Sequence, residues 1–414
     1  MITRRAFIQS GGLALVSLGG DPLFLDRAAY ALRRVPAARG RTLVCLFQRG
    51  AVDGLNMVVP HGEPAYYAER PRIAIPRRSL IDLDGHFGLH PALAGLKPLW
   101  DAGSLALVHA VGSPNATRSH FDAQDFMESG TPGTKSTPDG WANRYCLHAE
   151  EHAATPFRAV AFGPQLPRAL AGAAPALAVD DLRTFGLRSA RREGNDKLTR
   201  AFEALYAGAA TGLLSTSSAE GFEAIQLLKQ ADPARHRPAN GADYPRGRLG
   251  QHVLQVAQLI KADVGVRIAF VDVGGWDTHV NQGSEQGQLS ARLDELGRAL
   301  TAFSTDLGER MRDVVVLTMS EFGRTIRENG TSGTDHGHGT AMLVMGGGVK
   351  GRQVAGRWPG LDASARFEGR DLAVTTDFRD LFAEVLTGHL GPADLSAVFP
   401  GYPIERSRMP GVMA

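Results

Sequence analysis

Residues 314–345 read VVVLTMSEFGRTIRENGTSGTDHGHGTAMLVM. The stretch opens on one apolar run, Val314–Met319, and closes on another, Thr340–Met345. Both are continuously apolar instead of alternating, the pattern of strands covered on two faces. Between them stand five glycines together with Glu321, Arg324, Asp335, His336 and His338. A surface connection needs turn residues, but it needs no such concentration of carboxylate and imidazole. The segment therefore reads in two ways: a glycine-rich turn, or the rim of a site at the end of a buried sheet.

Further strands are expected at Thr42–Phe47, Ser104–Val111, Phe157–Phe162 and Val266–Val273. Helical periodicity appears at Ser119–Glu128, Leu198–Ala207, Arg246–Lys261, Gln286–Leu307 and Asp377–Leu386. Strands alternating with helices predict an α/β fold with a central, mostly parallel sheet. The Pro/Gly-rich stretches at 130–140 and 232–244 read as loops, not as domain linkers. No internal repeat is visible, and residues 40–400 are expected to form one domain. In such sheets ligands bind outside the carboxyl ends of the strands. The polar residues that follow each strand are thus the candidates for chemistry.

After the first strand, Asp53 stands in RGAVDGLN beside a glycine. Asp-Gly is a common turn, and a turn and a site explain it equally well. After the second, GSPNATRSHFDAQDFMESG places Ser119 to cap a helix, with Asp122 at the capping-box position. The same helix start favours a bound anion, and a hydroxyl there beside a cation can act as a nucleophile. Ser119 is the candidate, Thr117 and Ser113 compete with it, and Arg118 and His120 are candidate contacts to an anionic group. GGWDTH sets Asp277 and His279 two residues apart, an oxygen and a nitrogen ligand within reach of one cation. Glu321, Asp335, His336 and His338 are further candidate ligands, and Arg324 a candidate anion-stabilising group. None of these fragments matches a stringent motif such as H-E-x-x-H. Their recurrence at strand ends is what points to a divalent-metal site.

The chain has 414 residues, 43% of them hydrophobic, and its 45 basic and 43 acidic side chains leave a net charge of +2. That balance gives no footprint for nucleic acid. MITRRAFIQS, the apolar GGLALVSLGG behind it and then Ala29-Tyr30-Ala31 predict a twin-arginine signal peptide over residues 1–31. Its apolar part is short for a bilayer span, and no later segment is long and apolar enough. The chain is thus expected to pass the twin-arginine translocon to the periplasm or the exterior, with no stable membrane span. Cys45, inside TLVCLF, reads as a core residue, and a disulfide with Cys146 stays open. No Cys-x-x-Cys occurs, and no G-x-G-x-x-G opens a helix after a strand. Thiolate–zinc, haem and dinucleotide chemistry are therefore set aside.

FQRGAVDGLN, SHFDAQDFMESG, GGWDTH, SEFGRT, DHGHGT with the following GGGVKG, and TTDFRDLF occur in that order. With the twin-arginine start, they resemble the exported family called domain of unknown function 1501, over nearly the whole chain. That family is similar to the alkaline phosphatase and sulfatase superfamily. The resemblance implies an alkaline phosphatase-like three-layer sandwich with divalent metal (zinc, calcium, magnesium or manganese) at the strand ends. By position it implies Asp53 as the first-strand metal aspartate and Ser119, with Thr117 second, as nucleophile. It implies Asp277 and His279 as an Asp…His metal pair and His336 or His338 as the later metal histidine. Ser320-Glu321 stands where the superfamily has Asp-His, and no C/S-x-P-x-R run occurs, which sets aside a formylglycine nucleophile. The expected function is metal-dependent hydrolysis of a small or polymeric phosphate or sulfate ester outside the cytoplasm. The alternative is a catalytically degenerate binding or assembly protein on the same fold, partnered by another exported protein.

Overall fold

The structure, a computed structural model, describes residues 13–15, 40–149, 155–183, 224, 227–228 and 231–414. The paired arginines, the Ala29–Ala31 site and the helix expected at 198–207 lie outside the described residues. Strands in chain order are β1 (Leu13–Leu15), β2 (Thr42–Gln48), β3 (Val58–Val59), β4 (Ile81–Asp82) and β5 (Gly88–Leu89). Then come β6 (Leu105–Gly112), β7 (Ala159–Phe162), β8 (Leu177–Val179) and β9 (Ile268–Val273). The last four are β10 (Val314–Met319), β11 (Thr340–Gly346), β12 (Gln353–Ala355) and β13 (Thr376–Asp377). The helices that matter below are α1 (His120–Ser129), α2 (Trp141–His148), α3 (Arg248–Lys261), α4 (Gln288–Leu307) and α5 (Phe378–Val385).

Ten strands make one sheet in the order β1-β8-β7-β9-β2-β10-β11-β6-β12, with β13 also on β6, while β3, β5 and β4 form a small separate sheet. From β8 to β10 every neighbouring pair is parallel. Strand β11 is the exception inside the sheet, antiparallel to both β10 and β6. The opening segment is therefore the connection between two adjacent, oppositely directed strands. That reversal matters for the site. The amino end of β11 lies at the same sheet edge as the carboxyl ends of β2, β6, β9 and β10.

Uniformly apolar strands imply cover on both faces, and two apolar clusters provide it. Val44, Leu46, Leu107, Val271 and Val316 face one way, against α3 and α4. Helix α4 meets them with Leu289, Leu293, Leu296, Leu300, Phe303 and Leu307, spaced three or four apart so that they form one stripe. Leu43, Cys45, Phe47, Val108, Phe270 and Leu317 face the other way, against Trp141 and Tyr145 of α2 and Phe378, Leu381 and Phe382 of α5. Helix, sheet, helix is the expected α/β three-layer sandwich. Cys45 and Cys146 share the second cluster as buried free thiols, so no disulfide joins them. Burial pushes both thiols above their ordinary pKa. No described helix is long and apolar enough to cross a membrane.

Candidate metal centre at the strand carboxyl ends

The centre is assembled from three connections that share the sheet edge. Asp277 and His279 follow β9, His336 precedes β11, and His120 opens α1 after β6. Ser119 makes that helix start, its Oγ accepting the Asp122 N–H at 3.4 Å as an N-cap. One turn of backbone thereby brings the His120 ring over the edge, stacked on Phe322 with ring centroids 4.9 Å apart.

Asp277 is the hub. Its Oδ1 lies 3.0 Å from His279 Nε2 and 3.3 Å from His336 Nε2, and its Oδ2 lies 3.5 Å from His120 Nε2. The other nitrogen of each ring is anchored to an oxygen. His120 Nδ1 is 2.8 Å from Glu321 Oε1, His336 Nδ1 is 2.8 Å from the Arg118 carbonyl, and His279 Nδ1 is 3.2 Å from Asp335 Oδ1. A ring that donates Nδ1–H to an oxygen presents the Nε2 lone pair, which is how a histidine is held ready for a metal. Ligand atoms of His120, Asp277 and His336 all fall within 4.8 Å of one another. Tetrahedral bonds of about 2.0–2.1 Å would separate adjacent ligand atoms by about 3.3 Å, close to the 3.3 and 3.5 Å seen around Asp277. His120 Nε2 is also buried without a hydrogen-bond partner. A cation fits what these residues lack. His279 Nε2 lies 2.9 Å from His336 Nε2, which brings the third ring against the same cluster.

The electrostatics agree with this geometry. Burial works against the charge on Asp277, but the hydrogen bond and charge of Arg324 override it and hold the carboxyl below its usual range. The Glu321 hydrogen bond raises the His120 pKa, and burial lowers that of His336. An asparagine hydrogen bond from Asn329 keeps Asp335 low.

Not every residue expected at the site joins it. Asp53 is fully buried, its Oδ2 2.6 Å from both Arg70 Nη1 and Gln282 Nε2. Gln282 in turn accepts from the Thr278 and Thr334 hydroxyls, next to Asp277 and Asp335. Asp53 thus braces the loops that carry Asp277 and His336 from beneath; it is not among the converging groups. Glu321 is likewise buried behind His120, with Gly50 N–H, Gln124 and His120 all on Oε1. It anchors the His120 ring from behind and does not face Asp277. His338 turns away, its Nε2 on the Ser113 carbonyl and its ring against Phe367. Arg324 has no exposed side-chain surface and binds the Ala51, Gly50, Trp276 and Thr334 carbonyls besides Asp277, so it is built into the floor of the site and is not presented to an anion. Arg118 is taken by Asp371 and Glu368, and only its carbonyl serves the site. The Thr117 hydroxyl accepts the Ser119 N–H.

Gln124 was missed, although the signal existed. It stands four residues after His120 on the same helix, so both reach one side of α1 and both bind Glu321.

Several solved structures resemble the chain at low similarity. A sulfatase, PsFucS1 from Pseudoalteromonas, has 11% identity and a TM-score of 0.37 over 99% of this chain and 79% of that one. The C-terminal periplasmic domain of EptC from Escherichia coli, solved in complex with Zn, has 10% identity and a TM-score of 0.34 over 74% and 73%. The lipoteichoic acid synthase LtaP from Listeria monocytogenes has 9% identity and a TM-score of 0.31; 70% of this chain covers 57% of its length. No curated protein matches the sequence. Residues 40–391 match the family described as protein of unknown function (DUF1501), and the chain belongs to that family.

Proposed function

We propose that the protein is an exported hydrolase of phosphate or sulfate esters that works with one divalent cation held by His120, Asp277 and His336. The observation that carries this reading is the pair of imidazoles whose Nδ1 atoms are anchored, to Glu321 and to the Arg118 carbonyl, while both Nε2 atoms turn to one carboxylate. A divalent cation bound there supplies Lewis acidity, polarising an ester oxygen and lowering the pKa of a water molecule. Glu321 keeps the His120 ring in one tautomer. His279, backed on Nδ1 by Asp335 and partly exposed beside Asp277, is placed to pass a proton to the departing oxygen.

A second reading, a cation-holding binding protein without turnover, draws on Ser119 and Arg324. The Ser119 hydroxyl is a helix cap, and Arg324 already neutralises Asp277.

Elemental analysis of the purified full chain decides whether a cation is held. About one divalent cation per chain is expected, lost in His336→Ala with the fold intact by circular dichroism. Metal-free protein that stays metal-free on titration with zinc, manganese, magnesium and calcium would overturn the proposal. A bound cation with no turnover across a panel of phosphate and sulfate esters would leave the binding protein as the better reading.

A further inference from the structure

Arg49, the first residue after β2, touches both halves of the candidate metal centre. Its backbone N–H binds the Val273 carbonyl at 2.8 Å and its Nε lies 2.7 Å from Asp272 Oδ1, so it grips the end of β9, the strand that leads to Asp277. Its Nη1 reaches the other way, to Gln124 Oε1 at 3.0 Å and Glu128 Oε1 at 2.9 Å. Those two stand four and eight residues after His120, on one side of α1. Gly50, next in the chain, packs directly on the centre. A Cβ there would come within 2.7 Å of the Asp277 nitrogen, and its own N–H goes to Glu321.

The hydrogen bonds from Arg49 run in one direction. A guanidinium donates and never accepts, so the Gln124 atom facing it is the amide oxygen. The amide nitrogen is thereby turned to Glu321 Oε1, 2.9 Å away. The Gly50 N–H reaches the same oxygen at 2.8 Å. A carboxylate oxygen met by two N–H donors accepts from His120 as well, so the ring donates from Nδ1, at 2.8 Å, and turns Nε2 to Asp277. Flipping the Gln124 amide would set its oxygen against Glu321 and break the sequence at its second step.

We infer that Arg49 is a positioning residue of this centre, fixing the His120 ring through Gln124 and Glu321 while it holds α1 to β9. Its service to a bound cation rests on the metal-dependent hydrolase reading. The setting of the ring does not.

The test compares Arg49→Met, Gln124→Met and the double variant with the wild-type full chain. Two quantities are read. One is zinc affinity by calorimetry; the other is the His120 tautomer in chelator-treated protein, by NMR on isotope-labelled histidines with His120→Gln to assign the signal. Arg49→Met is expected to weaken zinc binding about tenfold, the lower end of what outer-shell changes cost, and to replace one fixed Nδ1–H tautomer by a mixture. Arg49→Lys should recover part of both. In the Gln124→Met background, removing Arg49 should change neither any further, because the path is already cut. Equal losses of zinc affinity with and without Gln124 would place the effect in the fold alone and overturn the inference, as would an unchanged tautomer in Arg49→Met. Should Arg49→Met not fold by circular dichroism, an unchanged tautomer in Gln124→Met overturns it in the same way. If wild type takes up no zinc, the hydrolase reading falls and the tautomer alone decides the role of Arg49.

Discussion

Two aspartates follow neighbouring parallel strands of the sheet, and each is held by an arginine. Asp53, after β2, meets Arg70 at 2.6 Å with both side chains wholly buried. Asp277, after β9, meets Arg324 at 2.5 Å, but its side chain is 44% exposed while the arginine is buried. Around Asp53 the remaining partners are an amide and, through it, two threonine hydroxyls. Around Asp277 they are three imidazoles. The first pair is a brace sealed from solvent; the second leaves one face for chemistry. What separates them is not the residue pair but the company and the exposure.

The largest expected effect breaks the sealed pair. Asp53→Ala would leave the Arg70 charge buried with only neutral acceptors, Asn56 and the Thr325 and Ile326 carbonyls. Removing one partner of such a pair costs about 3–5 kcal/mol. Urea denaturation should show that loss, while the folded fraction keeps its full complement of bound cation. Unchanged stability combined with lost cation would reverse the roles assigned here and make Asp53 a ligand.

That contrast also marks where sequence reasoning stops. All six expected strands, and the four expected helices that fall among the described residues, are found within about two residues, because uniform apolar runs and three-four spacing are local signals. The clustering of Asp277, His279 and His336 followed from a general rule about strand ends. Asp53 was drawn to the same place by the same rule, and nothing local distinguishes DG after β2 from DTH after β9. The difference comes from Arg70 and Gln282, which are 17 and 229 residues away along the chain. His338 shows the limit at shorter range. It stands two residues from His336, yet the chain just before β11 sends one ring to Asp277 and the other to Phe367.

A change of intermediate size sharpens the division between ligand and support. Glu321 makes no approach to Asp277 but fixes His120 by Nδ1, and it is itself fixed by Gly50 and Gln124. Glu321→Gln keeps the shape and removes the charge. Outer-shell changes of this kind cost about 10–100-fold in metal affinity, so zinc titration by calorimetry should show a loss in that range without loss of fold. An unchanged affinity would remove His120 from the ligand set. A complete loss equal to that of His336→Ala would make Glu321 a ligand.

The smallest effect compares histidines inside the core with those at the site. His109, His252 and His389 are buried, and burial lowers each pKa to about 4. An unfolded histidine binds its proton near pH 6.5, so between about pH 6.5 and 4 the unfolded chain holds more protons than the folded one. Stability then falls as pH falls through that window, by up to about 1.4 kcal/mol per pH unit for each histidine. His120 has the opposite sign. Its raised pKa gives a contribution that is present below pH 6.5 and lost as pH rises through the folded value, and partial exposure keeps it small. With a chelator present, urea midpoints from pH 7 to pH 5 should therefore drop with acid. His389→Gln should flatten that slope, recovering about 1 kcal/mol between pH 6.5 and 5.5. Its amide can still donate to the Thr42 carbonyl that His389 Nε2 now meets at 3.0 Å, so the hydrogen bond is kept while the titration is removed. A slope unchanged in His389→Gln would mean that this imidazole takes up its proton without unfolding the helix end that carries it.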